Sequence, residues 1–116
     1  MGRISPAEAY AKMKDEGFTY VDVRTPEEFE EGHPEGARNV PIDESFVVEM
    51  AKAFPRDAKI IVGCKAGGRS ARAARELETA GFTNVLDQRA GWDGVRGSFG
   101  EIVEPGWSRC DLPKSP

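Results

Sequence analysis

The chain has 116 residues, the usual size of one domain, and 16 basic against 20 acidic side chains leave a net charge of −4. That balance excludes an overall basic footprint for nucleic acid, and no apolar run approaches the ~20 residues that span a bilayer. Two cysteines, Cys64 and Cys110, make no disulfide framework, and no apolar leader follows Met1. A soluble, cytoplasmic protein is expected, with neither nucleic acid nor membrane as partner.

Ser5-Pro6-Ala7-Glu8 has the form of a capping box with proline at the first helical position. The helix should run to about Glu16 and stop at Gly17, with Tyr10 and Met13 on the core and Ala7 and Ala9 allowing close packing. Phe18 to Val23 is rich in aromatic and β-branched residues and predicts a strand. Asp22 and Arg24 stand at its end. In open parallel sheets ligands sit at the carboxyl ends of strands, so both are near-site candidates. They also suit an internal ion pair that fixes the loop, which is the preferred reading.

Thr25-Pro26-Glu27-Glu28 repeats the capping-box design for a short helix ending at Gly32. A loop with the only histidine, His33, follows. His33 suits a general base or, more commonly, a hydrogen bond that holds a loop. Asn39 to Ile42 is an edge-like strand ended by Pro41. Asp43 or Ser45 should cap the next helix, whose Phe46, Val47, Met50, Ala51 and Phe54 recur at helical spacing as a core stripe before Pro55. Lys59 to Val62 is apolar enough for a central strand buried on both faces.

The stretch Cys64-Lys65-Ala66-Gly67-Gly68-Arg69-Ser70 follows that strand and precedes a helix over Ser70 to Ala80, with Gly81 beyond its end. Ala71, Ala74 and Leu77 should pack inward, Arg72 and Glu76 should form a surface pair, and Arg72 is a candidate for steering anions. A cysteine at a strand end, followed by a glycine loop and a helix start, suits anionic sulfur chemistry. Loop N–H groups form a nest, the helix contributes the positive end of its dipole, and Lys65 and Arg69 add full charges. These features favour thiolate over thiol, and Gly67 and Gly68 allow left-handed backbone and close approach. Phe82 to Asp87 predicts the last strand, and Gly91-Trp92-Asp93 a turn. In the segment from Arg96 to Pro116, Phe99, Ile102, Val103 and Trp107 are candidate anchors. Cys110 is an idle thiol or, if this tail folds back, a second nucleophile.

Strands alternating with helices imply an α/β fold, a central, mostly parallel sheet with helices on both faces. The set Asp22-Val23-Arg24, Glu28-Phe29, Gly32 to Pro41, Cys64 to Ser70, Ala80 to Val85 and Gly91-Trp92 resembles a single-domain rhodanese, a thiosulfate sulfurtransferase. The resemblance covers roughly Ile4 to Trp92. It implies one rhodanese-like domain over 1–116, with a core of about 4–94 and a C-terminal extension over 95–116. It further implies a persulfide on Cys64, an anion held by the N–H groups of the 65–70 loop and by Arg69, and a site shaped by Asp22 and Arg24. The expected partners are a small anionic sulfur donor and a thiol or cyanide acceptor, or a protein donor or acceptor. No cofactor is expected, and no Cys/His spacing suits a metal. Two departures stand out. Gly63 is smaller than the residue usual there, which should loosen the approach to Cys64. Pro34 replaces an aliphatic residue.

Two other readings compete. In a persulfide carrier or docking module, Cys64 would receive sulfur from a partner protein. In a cysteine phosphatase or arsenate reductase, five residues separate cysteine from arginine; four separate Cys64 from Arg69. The shorter loop has a smaller mouth and favours one sulfur over a tetrahedral phosphate.

Overall fold

Ile60, Ile61 and Val62 are wholly buried, and the rest of the chain is arranged around them. The computed structural model describes residues 2–116. The three residues lie in β5 (Lys59–Gly63), the middle strand of a five-stranded parallel sheet. Its neighbours are β2 (Thr19–Asp22) on one side and β6 (Asn84–Gln88) on the other. β4 (Arg38–Asn39) and β1 (Gly2–Ile4) form the two edges. β1 had no signal of its own: three residues are too few for a period, and pairing with β6 makes them a strand. β6 starts at Asn84, later than the expected Phe82, which is buried ahead of it.

The two faces carry separate cores. On one, α3 (Phe46–Ala53) and α4 (Gly68–Thr79) cover Val21, Val23, Ile60, Val62 and Cys64. On the other, Tyr20 and Ile61 meet Ile4, Ala9 and Trp107, with Tyr10 and Met13 packed beside them. Ala9 belongs to α1 (Pro6–Glu16), whose capping box forms as expected: the Glu8 N–H donates to Ser5 Oγ and the Ser5 N–H to the Glu8 carboxylate. Ala7 is exposed and packs nothing, because it lies on the outer side of that helix. The second box forms at α2 (Pro26–Glu31). At α3 neither expected side chain caps the helix; Asp43 Oδ1 instead accepts from the Ser45 N–H and hydroxyl.

α4 begins at Gly68, two residues before the expected start, and buries Ser70, Ala73, Ala74 and Leu77. Ala71 is only half-buried, and Ala73 takes its inward place. Arg72 and Glu76 do pair, at 2.8 Å. Gly81 follows with φ +96°, a left-handed turn that ends the helix.

Beyond residue 94, Trp107 and Leu112 pack in the second core. β7 (Gly94–Arg96) and β8 (Ile102–Pro105) form a hairpin, a one-turn 3-10 helix spans Trp107–Arg109, and β9 (Lys114–Ser115) pairs with β3 (His33–Pro34). Of the expected anchors, Trp107 is fully buried, whereas Phe99 is 95% and Val103 65% exposed. The hairpin projects them outward; the turn after it delivers the indole. Among the described residues no helix is long and apolar enough to cross a membrane.

Candidate functional site

Parallel strands end together, so β2, β5 and β6 bring Asp22, Gly63 and Gln88 to one edge of the sheet. Cys64 is the next residue beyond β5 and is almost fully buried. Its Sγ accepts the Gly67 N–H at 3.0 Å and lies 3.5 Å from Ser70 Oγ. Ser70 Oγ is also 3.2 Å from the Gly67 carbonyl. The hydroxyl has one proton to give. With a thiol, it goes to the Gly67 carbonyl and the S–H donates to Ser70; with a thiolate, it can turn toward the sulfur.

Gly67 has φ +101°, and a Cβ there would run into the Arg89 carbonyl. Gly68 has ordinary helical backbone and open space around it, so only the first of the two glycines is required by the loop. Lys65 and Ala66 are exposed. The base of the loop is clamped from the far side: the Trp92 N–H donates to the Cys64 carbonyl at 2.8 Å and the Asp93 N–H to the Lys65 carbonyl at 2.9 Å. Gly91, at φ +65°, permits this, since any Cβ would strike the Cys64 and Lys65 carbonyls. The clamp begins at Gly91, 27 residues downstream of Cys64. It left no local signal beyond the glycine.

Arg69 does not stand free. Its two terminal nitrogens meet the two Glu28 oxygens at 2.8 and 3.1 Å. The Arg69 guanidinium, helped by the Thr25 N–H, holds the Glu28 carboxyl down at about 2, against the opposing effect of burial. Glu28 raises Arg69 in return. Glu28 thus has two jobs, capping α2 and holding Arg69. Only the first was visible in the sequence, because the second joins residues 41 apart.

Asp22 and Arg24 form an internal ion pair. Arg24 Nε and Nη2 reach both Asp22 oxygens at 2.8–3.1 Å, and Nη2 also donates to the Gly32 carbonyl at 2.7 Å. Both residues are buried, and the guanidinium lies 5.3 Å from the Trp92 ring centre. Asn39 donates to the carbonyls of Asp22 and Arg24, tying the strand end to β4. The pair ties the end of β2 to the Gly32 backbone. His33 likewise holds backbone in place. Its Nδ1 donates to the Phe29 carbonyl at 2.7 Å, and its ring stacks on Phe29 at 3.6 Å.

Gly63 does not loosen the approach to Cys64. A Cβ there would overlap the Tyr20 hydroxyl, so the tyrosine fills the space the glycine leaves. Gln88 Nε2 donates to that hydroxyl at 3.1 Å, and burial pushes the phenol well above its usual range, so it stays neutral. Pro34 is buried in the short ladder with β9. Cys110 lies just after the one-turn helix that carries Trp107, and its thiol donates to the Gly106 carbonyl at 3.2 Å. Both thiols are free, Cys64 buried and Cys110 partly exposed.

A parallel α/β sheet covered on both faces, with one cysteine loop at its carboxyl edge, defines the class of protein. Comparison narrows it further. The Rhodanese-like domain pattern matches residues 5–98, and the chain belongs to that family. It is 43% identical over 86 residues to thiosulfate sulfurtransferase 16, chloroplastic, of Arabidopsis thaliana, covering 66% of this chain and 72% of the relative. It is 34% identical over 97 residues to a thiosulfate sulfurtransferase of Pseudomonas putida, covering 84% of this chain and 86% of the relative. The match spans only 53% of the length of two further plant relatives. A crystal structure from M. tuberculosis superposes with a TM-score of 0.84 at 25% identity, covering 99% of this chain and 97% of the other.

Proposed function

We propose that this chain, residues 1–116 acting as one unit, is a sulfurtransferase working through a persulfide on Cys64. The Cys64 thiolate attacks the outer sulfur of thiosulfate; the S–S bond of the donor breaks and sulfite leaves with its electron pair. A thiol or cyanide then takes the outer sulfur and returns the thiolate. The observation that carries this reading is the Gly67 N–H on Cys64 Sγ, at the N-terminus of the 12-residue helix α4. An N–H and a helix dipole aimed at a sulfur stabilise negative charge on it, whether as thiolate or as persulfide. Lys65 draws the anionic donor in, and the loop N–H groups of residues 65–70 hold it beside Arg69. The two free thiols fit a reducing, cytoplasmic setting.

The test is intact-mass spectrometry after incubation with thiosulfate. The wild type should gain one sulfur atom, cyanide should remove it, and Cys64→Ser should gain none. No gain on a demonstrably reduced Cys64 sinks thiosulfate as donor. Rapid loading from a cysteine desulfurase in that case makes the domain a carrier for a partner protein.

A further inference from the structure

Arg69 also lines a groove of about 420 Å³ whose other residues the sulfur-transfer steps above leave unused. Val23, Pro26 and Ile42 give it apolar walls, and Glu27, Asp43 and Arg69 are its charged groups. Val23 links its wall to the cysteine's strand: the Val23 N–H donates to the Gly63 carbonyl at 2.9 Å, and Val23 shares a buried cluster with Cys64.

The charge count in this groove is lopsided. Arg69 is neutralised by its two-pronged contact with Glu28. Among the described residues no cation forms an ion pair with Glu27 or Asp43. Asp43 is held in place by the Ser45 N–H and hydroxyl, which leave its charge intact. Lys65 does not line the groove. An apolar trough with two uncompensated carboxylates repels an anionic ligand and attracts a cationic one.

We propose that this groove seats the body of the sulfur acceptor and selects thiols with an apolar chain and a neutral or positive end over anionic thiols. The proposal rests on the persulfide reading above. The acceptor thiol loses its proton to solvent and its thiolate attacks the outer sulfur of the Cys64 persulfide. A new S–S bond forms on the acceptor, the bond to Sγ breaks, and the electron pair stays on Cys64 as thiolate. The donor and the acceptor body then meet only at Arg69: the donor uses the cysteine loop with Lys65, the acceptor body the trough between Glu27 and Asp43.

The experiment loads the protein with thiosulfate, removes the excess, and follows loss of the extra sulfur by intact mass with three straight-chain hexanethiols ending in an ammonium, a hydroxyl or a carboxylate. The chain keeps the end group away from the sulfur, so the three thiols have nearly equal intrinsic reactivity. At low ionic strength the discharge rate should fall in that order, by about tenfold from first to last, and the spread should shrink at high salt. Glu27→Lys with Asp43→Asn should reverse the order, and Glu27→Gln, the milder surface change, should narrow it. Equal rates for the three thiols on loaded wild type, or an order that survives high salt and both variants, overturns the proposal while leaving the persulfide standing. A protein that takes up no sulfur from any donor removes the persulfide reading, and this one with it.

Discussion

The two faces of the sheet are built on different plans. On the Cys64 face the centre is a contiguous stretch, strand, loop and the small residues Ser70, Ala73 and Ala74 that let α4 lie close, with Val21, Val23, Phe46 and Met50 packed around it. The opposite face is made from pieces far apart in the chain, Ile4, Ala9, Tyr20 and Trp107, with the Trp107 ring set edge-on to Tyr20 at 5.5 Å. The two meet next to the cysteine, where Tyr20 fills the missing side chain of Gly63 and Trp92, packed on the second core, donates its N–H to the Cys64 carbonyl. Chemistry and support are thereby divided. A short local segment presents the sulfur, and a non-local aromatic cluster keeps the strand beneath it in place.

That division can be broken in measurable ways. The largest effect should come from Trp107→Ala, which empties the second core and should cost about 3–5 kcal/mol in chemical denaturation. A loss under about 1 kcal/mol would show that the C-terminal segment is not part of the support. Next is Gly63→Ala, which overpacks against Tyr20 and should cost about 1–3 kcal/mol. Tyr20→Phe should recover part of that loss, and a double-mutant cycle with no coupling would remove the Tyr20–Gly63 contact as a link between the faces. The smallest effect should be Glu28→Gln. Glu28 ionises at about 2 in the folded chain against an ordinary 4.5, so its pairing with Arg69 stabilises fully above pH 4.5 and is lost as pH falls toward 2. Both side chains are partly exposed, so the loss at neutral pH should be about 1 kcal/mol or less. The variant should also have a flatter stability profile over that acid range; an unchanged profile would show that another carboxylate governs it.

Much of the Cys64 face was legible from residue order alone. The apolar run Ile60-Ile61-Val62, the cysteine after it and the glycine-arginine loop are neighbours, so their chemistry follows from local backbone preference and side-chain type. Both capping boxes were legible for the same reason, because a cap bonds residues three apart. The readings that failed needed a partner. Gly67 and Gly68 are equivalent as letters, yet only Gly67 faces the Arg89 carbonyl. Phe99 and Trp107 are both aromatic anchors on paper, yet one is on a projecting hairpin and the other under α1.

Residue order was enough for the central strands, for the helices between them to within a few residues, and for the two capping boxes at α1 and α2. These depend on interactions spanning a few residues, which the chain encodes wherever it happens to pack. Folding alone settled that β1 is a strand, that Arg69 is held by Glu28, and that Gly63 is filled by Tyr20. Each of those is a relation between segments distant in the chain, and only burial against the sheet specifies which distant residues meet.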